Sequence, residues 1–300
     1  MSSTDFKEQF LKNNQPPIFI KLLAMLSLVR WYNVLLVTIG LYLSSIFMLQ
    51  DHIPKIDVIK DISLHINVVA IAFLIMAGYI INAFYDFEKD LINHPESTVF
   101  GTVISKQFCL NSYIFFLFVG SSLSILLGWK VGLFNLLFSS GLWIYSHKLR
   151  QKPLSGELGA SILTVAPFAS ISLHYMQLNF TIFLFVCYIF AITLTREVIK
   201  KMVSLKGDLI VNEKSIPILF GIKNTKYIIL TLMLSSLAPI GFIIPYIFEK
   251  SIVYYFALSF CLIVCGLYLL KFAKTTTHFN KINNIYKIII ILAVFSILLY

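Results

Sequence analysis

Long apolar runs, spaced so that each is near the length needed to cross a lipid bilayer, are what this chain must fold around. They lie at about 33–49, 66–85, 110–128, 131–146, 157–174, 178–196, 227–247, 252–270 and 285–300. About 20 apolar residues in a helix cross the hydrocarbon of a bilayer. A segment there has to satisfy its own backbone hydrogen bonds, which selects helices. Composition agrees. The chain is 58% hydrophobic and 13% charged, where a soluble domain carries about 25% charged residues, and its mean hydropathy is +0.86. The expectation is an all-α integral membrane protein with about nine transmembrane helices. Residues 1–17 form a polar tail, and 18–300 form a single domain. Met1 to Phe10 is polar and lacks the basic-then-apolar layout of a cleaved signal, so the first helix is expected to stay in the membrane.

The charges between the runs orient them. With the N-terminus inside, the Lys and Arg of the tail and first helix entry (Lys7, Lys12, Lys21 and Arg30, the last followed by two interface-loving aromatics), of the segments near 87–109 and 146–152, and of 196–226 and 271–287 all fall on one side. Only Lys55, Lys60, Lys130 and Lys250, of 24 in all, are left outside. Inner loops carry the excess of Lys and Arg, so the N-terminus is expected in the cytoplasm. The net charge of +10 is read the same way, and not as a nucleic-acid surface. Two inner segments, about 87–109 and 197–226, are long and polar, and they follow the second and sixth helices. Long loops in a compact bundle are usually functional or disordered. Their parallel placement hints at two similar halves. Four cysteines, Cys109, Cys187, Cys261 and Cys265, show no paired metal spacing; Cys261 and Cys265 share a helix face in an apolar run and read as small buried thiols.

Chemistry concentrates at the inner end of the second helix. If that helix continues past Ile81, Asn82, Asp86 and Asp90 stack on one face at i, i+4 and i+8. Carboxylates at membrane depth are expensive and usually serve a cavity. An amide and two carboxylates offer the hard oxygens that Mg²⁺ takes, its shell completed by water or phosphate. The same residues also suit a helix end with solvated charges. A second stretch runs from Thr195 to Asp208, with Arg196, Glu197, Lys200, Lys201, Ser204 and Asp208; Glu197, Lys201 and Ser204 share a face. It suits a phosphate-binding wall, and equally a basic segment resting on anionic lipid heads. A third stretch, Tyr145 to Glu157, is the inner turn between the fourth and fifth helices. Lys148 and Arg150 there can reach a phosphate, and Tyr145 offers a hydroxyl or a ring face.

Taken together and in this order, the three stretches resemble the UbiA superfamily of intramembrane prenyltransferases over about residues 20–300. The first block, Asn82-Ala-Phe-Tyr-Asp86-Phe-Glu-Lys-Asp90-Leu-Ile-Asn93-His-Pro95, matches that family's leading aspartate motif. Tyr145-Ser-x-Lys148, the Gly156 turn, Arg196-Glu197, Gly207-Asp208 and Ser215-Ile-Pro217 match further blocks. Pro95-Glu96 and Arg196-Glu-Val-Ile-Lys200 are similar to the bacterial branch of geranylgeranylglycerol-phosphate geranylgeranyltransferases. The resemblance implies nine transmembrane helices around a central cavity, with Mg²⁺ held by Asn82, Asp86, Asp90 and Asp208. It implies a prenyl diphosphate gripped through the metal with Tyr145, Lys148, Arg150, Arg196, Lys200 and Lys201 around it. An acceptor would attack the allylic cation left when diphosphate departs. The setting is a bacterial inner membrane, with the reaction at its cytoplasmic face and membrane lipids as surroundings.

The chain departs from the family pattern at several positions. Ala83 stands where the first motif has a leading Asp, and Ser97 where the branch has Arg. Lys201 and Ser204 replace two aspartates of the second motif, and Glu157 replaces an Asn. Two accounts stay open on these residues alone. In one, the chain is a transferase in which the Lys201 ammonium stands in for a second ion. In the other, it is a catalytically degenerate paralogue that binds a prenyl lipid or headgroup. A transporter fits less well, because its charges would line a path through the bilayer and these gather at one face.

Overall fold

The computed structural model describes the backbone of residues 18–93, 104–177, 179–210 and 214–300, and the side chains of these except residues 18 and 87–93. The described part is helical, in the order α1 (Ile18–Leu28), α2 (Trp31–Leu43), α3 (Lys55–Lys60), α4 (Ile62–Asn93), α5 (Lys106–Leu126), α6 (Trp129–Ile144) and α7 (Ser155–His174). Then follow α8 (Phe180–Val203), α9 (Leu205–Ile210), α10 (Ile216–Ser235), α11 (Leu237–Ile247), α12 (Val253–Phe272) and α13 (Thr276–Ser296). Two π-helical turns extend α2 and α6, over Ser44–Leu49 and Tyr145–Leu149.

Local chemistry sets the helix ends. The Ser105 hydroxyl accepts from the Phe108 N–H at 3.2 Å and starts α5. Asn179 Oδ1 accepts from the Thr181 N–H at 3.0 Å and starts α8. Thr275 does the same for α13. Each satisfies an amide that the first turn leaves without a partner. Gly128, at φ 116°, makes the tight reversal between α5 and α6 that a side chain would disfavour. Hydroxyls inside the bilayer bond back to their own helix: Ser44 to the Gly40 carbonyl, Ser124 to that of Gly120, and Ser161 to that of Glu157.

The helices close a ring. α4 packs on α2, α5 and α6; α7 joins α6 to α8; and α8 is covered by α10, α11 and α13. α13 returns to α2. Buried Leu41, Ile71, Leu74, Tyr188, Ile192, Ile199, Phe256 and Tyr286 fill the contacts. Lipid tails are as apolar as these side chains, so close packing, aided by small residues, holds such helices together. Gly120 is one such place: a Cβ there would lie 2.9 Å from the Ala70 carbonyl of α4 and 2.8 Å from Leu74.

Eight described helical segments are long and apolar enough to cross a membrane, where nine were expected. The difference is α6, only 16 residues long, with Asn135 and Ser139 on its buried side. The segment 197–226, expected as a long inner loop that the sixth helix enters helically as far as Asp208, is helical over most of its described length. α8 runs to Val203, α9 follows at once, and α10 begins at Ile216. The Glu197–Lys200 pair at i, i+3 carries the helix past its apolar part. Likewise α4 continues to Asn93 and α13 begins at Thr276, both further than apolarity alone indicates. Pro95, Glu96, Ser97 and Gly101 lie outside the described residues.

At the far end of the bundle α4 is tied to α7. Asp61 Oδ1 accepts from the Ser63 N–H at 3.0 Å and the Ser63 hydroxyl at 2.5 Å; that hydroxyl lies 3.2 Å from His174 Nε2. The Tyr175 hydroxyl donates to Asp61 Oδ2 at 3.4 Å.

Candidate active site

The continuation of α4 past Ile81 puts Asn82 and Asp86 one turn apart on one face, as their spacing requires. Asn82 Nδ2 donates to Asp86 Oδ2 at 2.9 Å. Arg150 Nη1 donates to Asn82 Oδ1 at 3.0 Å and also pairs with the Asp86 carboxylate. Asp86 is 8% exposed. A buried carboxylate needs such a partner.

Arg150 arrives there because of how α6 ends. The π turn Tyr145–Leu149 inserts an extra residue into the last turn, a feature common at functional sites. Gly156 then lets α7 begin against that turn, since a Cβ would sit 2.9 Å from the Leu149 carbonyl and 3.1 Å from the Arg150 carbonyl. Tyr145 is half-buried in the turn, and Lys148 is exposed. His147 stacks on Trp143, with centroids 5.3 Å apart, and lies 5.2 Å from Tyr85.

The facing wall is the end of α8 with α9, and α9 packs against both α8 and α4. Lys200 Nζ donates to both Glu197 oxygens, at 2.8 and 2.9 Å. Arg196 is half-buried, and its Nε has no hydrogen-bond acceptor among the described residues. Lys201 is half-buried on the same helix end. Asp208 is fully buried on α9, where its Oδ2 accepts from the Ser204 hydroxyl at 3.3 Å.

Two further residues belong to this mouth. Arg30 joins α1 to α2 in a left-handed conformation, φ 49°, and its guanidinium lies 5.5 Å from the Tyr79 ring centre on α4. Its field reaches Lys200, as that of Arg196 does. The sequence reads Arg30-Trp-Tyr only as an interfacial cluster; a charge joined directly to two aromatics was the available signal. The other is Glu157, 2% exposed in the first turn of α7. Thus Asn82, Asp86 and Arg150 come together directly. Arg196 and Lys200 stand on the facing wall with Lys201, and Asp208 lies beneath them on α9. Lys148 is turned outward, and the Asp90 side chain lies outside the described residues. Among those described, no three His, Cys, Asp or Glu side chains gather closely enough to hold a metal ion.

This arrangement, an acidic helix end facing a basic wall at one end of a membrane bundle, has a match among known proteins. The UbiA prenyltransferase family model matches residues 39–288. The chain belongs to the UbiA prenyltransferase family. It is an integral membrane prenyltransferase. Its UbiA relatives include the digeranylgeranylglyceryl phosphate synthase of Methanobrevibacter smithii, 27% identical over 236 residues, 76% of this chain and 83% of that protein. The synthase of the same name from Methanococcus maripaludis is 27% identical over 289 residues, 92% of this chain and 97% of that protein. Both are archaeal, where the motifs pointed to a bacterial branch.

The UbiA fold is shared at lower identity. A solved structure of digeranylgeranylglyceryl phosphate synthase covers 92% of this chain and 97% of its own, with a TM-score of 0.68 at 21% identity. A UbiA homologue from Archaeoglobus fulgidus bound to GPP and Mg²⁺ covers 91% of this chain and 99% of its own, with a TM-score of 0.66 at 15% identity.

Proposed function

We propose that this UbiA-family chain transfers a prenyl group from a prenyl diphosphate to a hydroxyl of a glycerophosphate-type lipid, assisted by Mg²⁺, at the cytoplasmic face of a cell membrane. One observation carries the reading: Asn82, Asp86 and Arg150 come together at α4, against which α9, the continuation of the basic end of α8, packs. The curated relatives are synthases of a glycerophosphate lipid, and a structural neighbour holds GPP with Mg²⁺. The cytoplasmic placement is supported by the Lys and Arg asymmetry of the sequence.

The residues present fit Mg²⁺ on donor chemistry. Asn82 Oδ1 and the Asp86 carboxylate are hard oxygens on one helix face, and Arg150 already balances the Asp86 charge. Asn82 and Asp86 would hold the ion, with Asp208 as a further carboxylate; the sequence motif adds Asp90, whose side chain lies outside the described residues. Bound there, Mg²⁺ supplies positive charge to the departing diphosphate. The protein's own groups do the rest. Arg150 binds and orients a diphosphate oxygen. Lys201 adds a compact positive charge on the facing wall, where the family pattern has an aspartate. Arg30, Arg196 and Lys200 outnumber Glu197, their one described carboxylate partner, and suit the acceptor's phosphate. The apolar helices keep water from the allylic carbon.

The experiment is direct. Purified protein with Mg²⁺, a panel of prenyl diphosphates and a glycerophosphate lipid should release pyrophosphate and form the prenyl ether. Binding of prenyl diphosphate without release for every donor and acceptor would leave a lipid-binding paralogue instead.

A further inference from the structure

The mouth holds four described carboxylates, and three already have donors. Asp86 is held by Asn82 and Arg150, Glu197 by Lys200, and Asp208 by Ser204. Glu157 differs. It is 2% exposed, and no side chain among the described residues donates to either carboxylate oxygen; only the backbone amides of its own turn, at Leu154 and Glu157, lie near them. A buried carboxylate with no side-chain donor is expensive, and such a group is a place where a donor can arrive with a ligand.

Backbone packing, not side-chain partners, fixes where Glu157 stands. Gly156 presses α7 against the Leu149 and Arg150 carbonyls, so the next residue is set beside the turn that delivers Arg150 to Asp86. The charged groups whose fields reach Glu157 are Lys201, which offsets its charge, and Glu197, which opposes it; both lie on α8. The first turn of α7 adds the positive end of a helix dipole. A carboxylate positioned this way has open lone pairs, a locked backbone and compensating charge nearby.

Resting on the transferase reading above, we infer that Glu157 is the general base that takes the proton from the acceptor's attacking hydroxyl. The hydroxyl oxygen forms the new bond to the allylic carbon, and the bond from that carbon to diphosphate breaks, its electron pair leaving with diphosphate. The hydroxyl proton passes to a Glu157 carboxylate oxygen and returns to water after product leaves. The step needs no further reactant.

The test compares native protein, Glu157→Gln and Glu157→Asp in lipid nanodiscs, with geranylgeranyl diphosphate, Mg²⁺ and geranylgeranylglyceryl phosphate. Three quantities are read: ether product, Mg²⁺-dependent binding of the diphosphate without acceptor, and unfolding temperature. General-base catalysis contributes about 10²–10⁴-fold. Glu157→Gln should therefore lose ether formation by about that factor, with diphosphate binding and unfolding temperature as in the native protein. Glu157→Asp should recover at least about tenfold of the loss, because it keeps a carboxylate. Ether formation by Glu157→Gln within twofold of native overturns the inference and leaves the transferase reading standing. Loss of Mg²⁺-dependent binding in Glu157→Gln overturns it too, because the carboxylate then serves the cation. If Glu157→Gln unfolds, Glu157→Asp decides: a folded Asp variant with native diphosphate binding and a reduced ether rate supports the base, and native rates overturn it. A native protein that makes no ether with any donor or acceptor overturns the transferase reading and the base together.

Discussion

Asp86 pairs with Arg150 in the structure, and the proposed function also gives it the cation. Asp86→Asn keeps the shape but removes the charge. Mg²⁺-dependent binding of a prenyl diphosphate, measured by calorimetry, should be lost, and turnover should fall by about a hundredfold or more, the scale of removing one preorganised electrostatic contact. Lys201 answers a different question. If its ammonium meets a diphosphate oxygen, Lys201→Ala removes a charge-assisted contact of about 1.5–3 kcal/mol, which pyrophosphate release should report as a roughly ten- to hundredfold loss. Unchanged release would assign the diphosphate charge to Arg150 and the metal alone. At this scale the sequence shows the ingredients and hides the pairing. The i, i+4 spacing puts Asn82 and Asp86 on one face, but that Arg150 closes on both depends on a π turn, which no composition signals. Glu157 shows in the sequence only as a departure from the family pattern, and Arg30 only as a charge beside two aromatics, for the same reason. A left-handed hinge and a glycine contact bring them to the mouth, and neither leaves a periodic trace.

The elements that shape the mouth are held by close backbone approach. Gly156→Ala would drive a Cβ into the Leu149 and Arg150 carbonyls. The start of α7 should shift, and weaker diphosphate binding should appear with little change in helix content by circular dichroism. Gly120→Val tests packing far from the chemistry. Its side chain must displace Leu74 and the Ala70 backbone, and overpacking of this kind costs about 1–3 kcal/mol, visible as a lower unfolding temperature in detergent. At the other end, burial pushes the Asp61 carboxyl up, but the Ser63 hydrogen bonds and the charge of His174 outweigh it and hold it below the usual carboxylate range. Its contribution to stability is therefore present at neutral pH and fades as pH falls through that lowered value. A thermal-unfolding series should show this fading in native protein and a flatter profile in Asp61→Asn. Helix existence was legible from apolarity, because long hydrocarbon-matched runs admit no other structure. Helix ends were not. α8 and α13 continue through charged residues that pair or face water, and apolarity is blind to such continuation.

On the scale of the whole molecule, the proposed site lies at one end of the ring. The end of α6 and the start of α7 meet α4 there, with α9 packed on α4 and α8, while Asp61, His174 and Tyr175 tie α4 to α7 at the opposite end. On the charge asymmetry, this end is proposed to lie in the cytoplasm. With the four native cysteines replaced, a cysteine at exposed Lys206 should react with an impermeant thiol reagent only from inside, and one at exposed Lys130 only from outside. The reverse pattern would invert the topology. The family was readable because its motifs fall in order along the chain. The acceptor was not, because it depends on how separate helix ends converge. The central claim, that this mouth ionises a prenyl diphosphate and passes the prenyl group to an acceptor, is tested most directly by pyrophosphate release. Native and Asp86→Asn proteins are each measured across a Mg²⁺ titration, with and without a glycerophosphate lipid. The account predicts release by the native protein that requires Mg²⁺, rises with the lipid and nearly vanishes in Asp86→Asn. Equal release by both proteins, or none from native protein with any prenyl diphosphate, would contradict it.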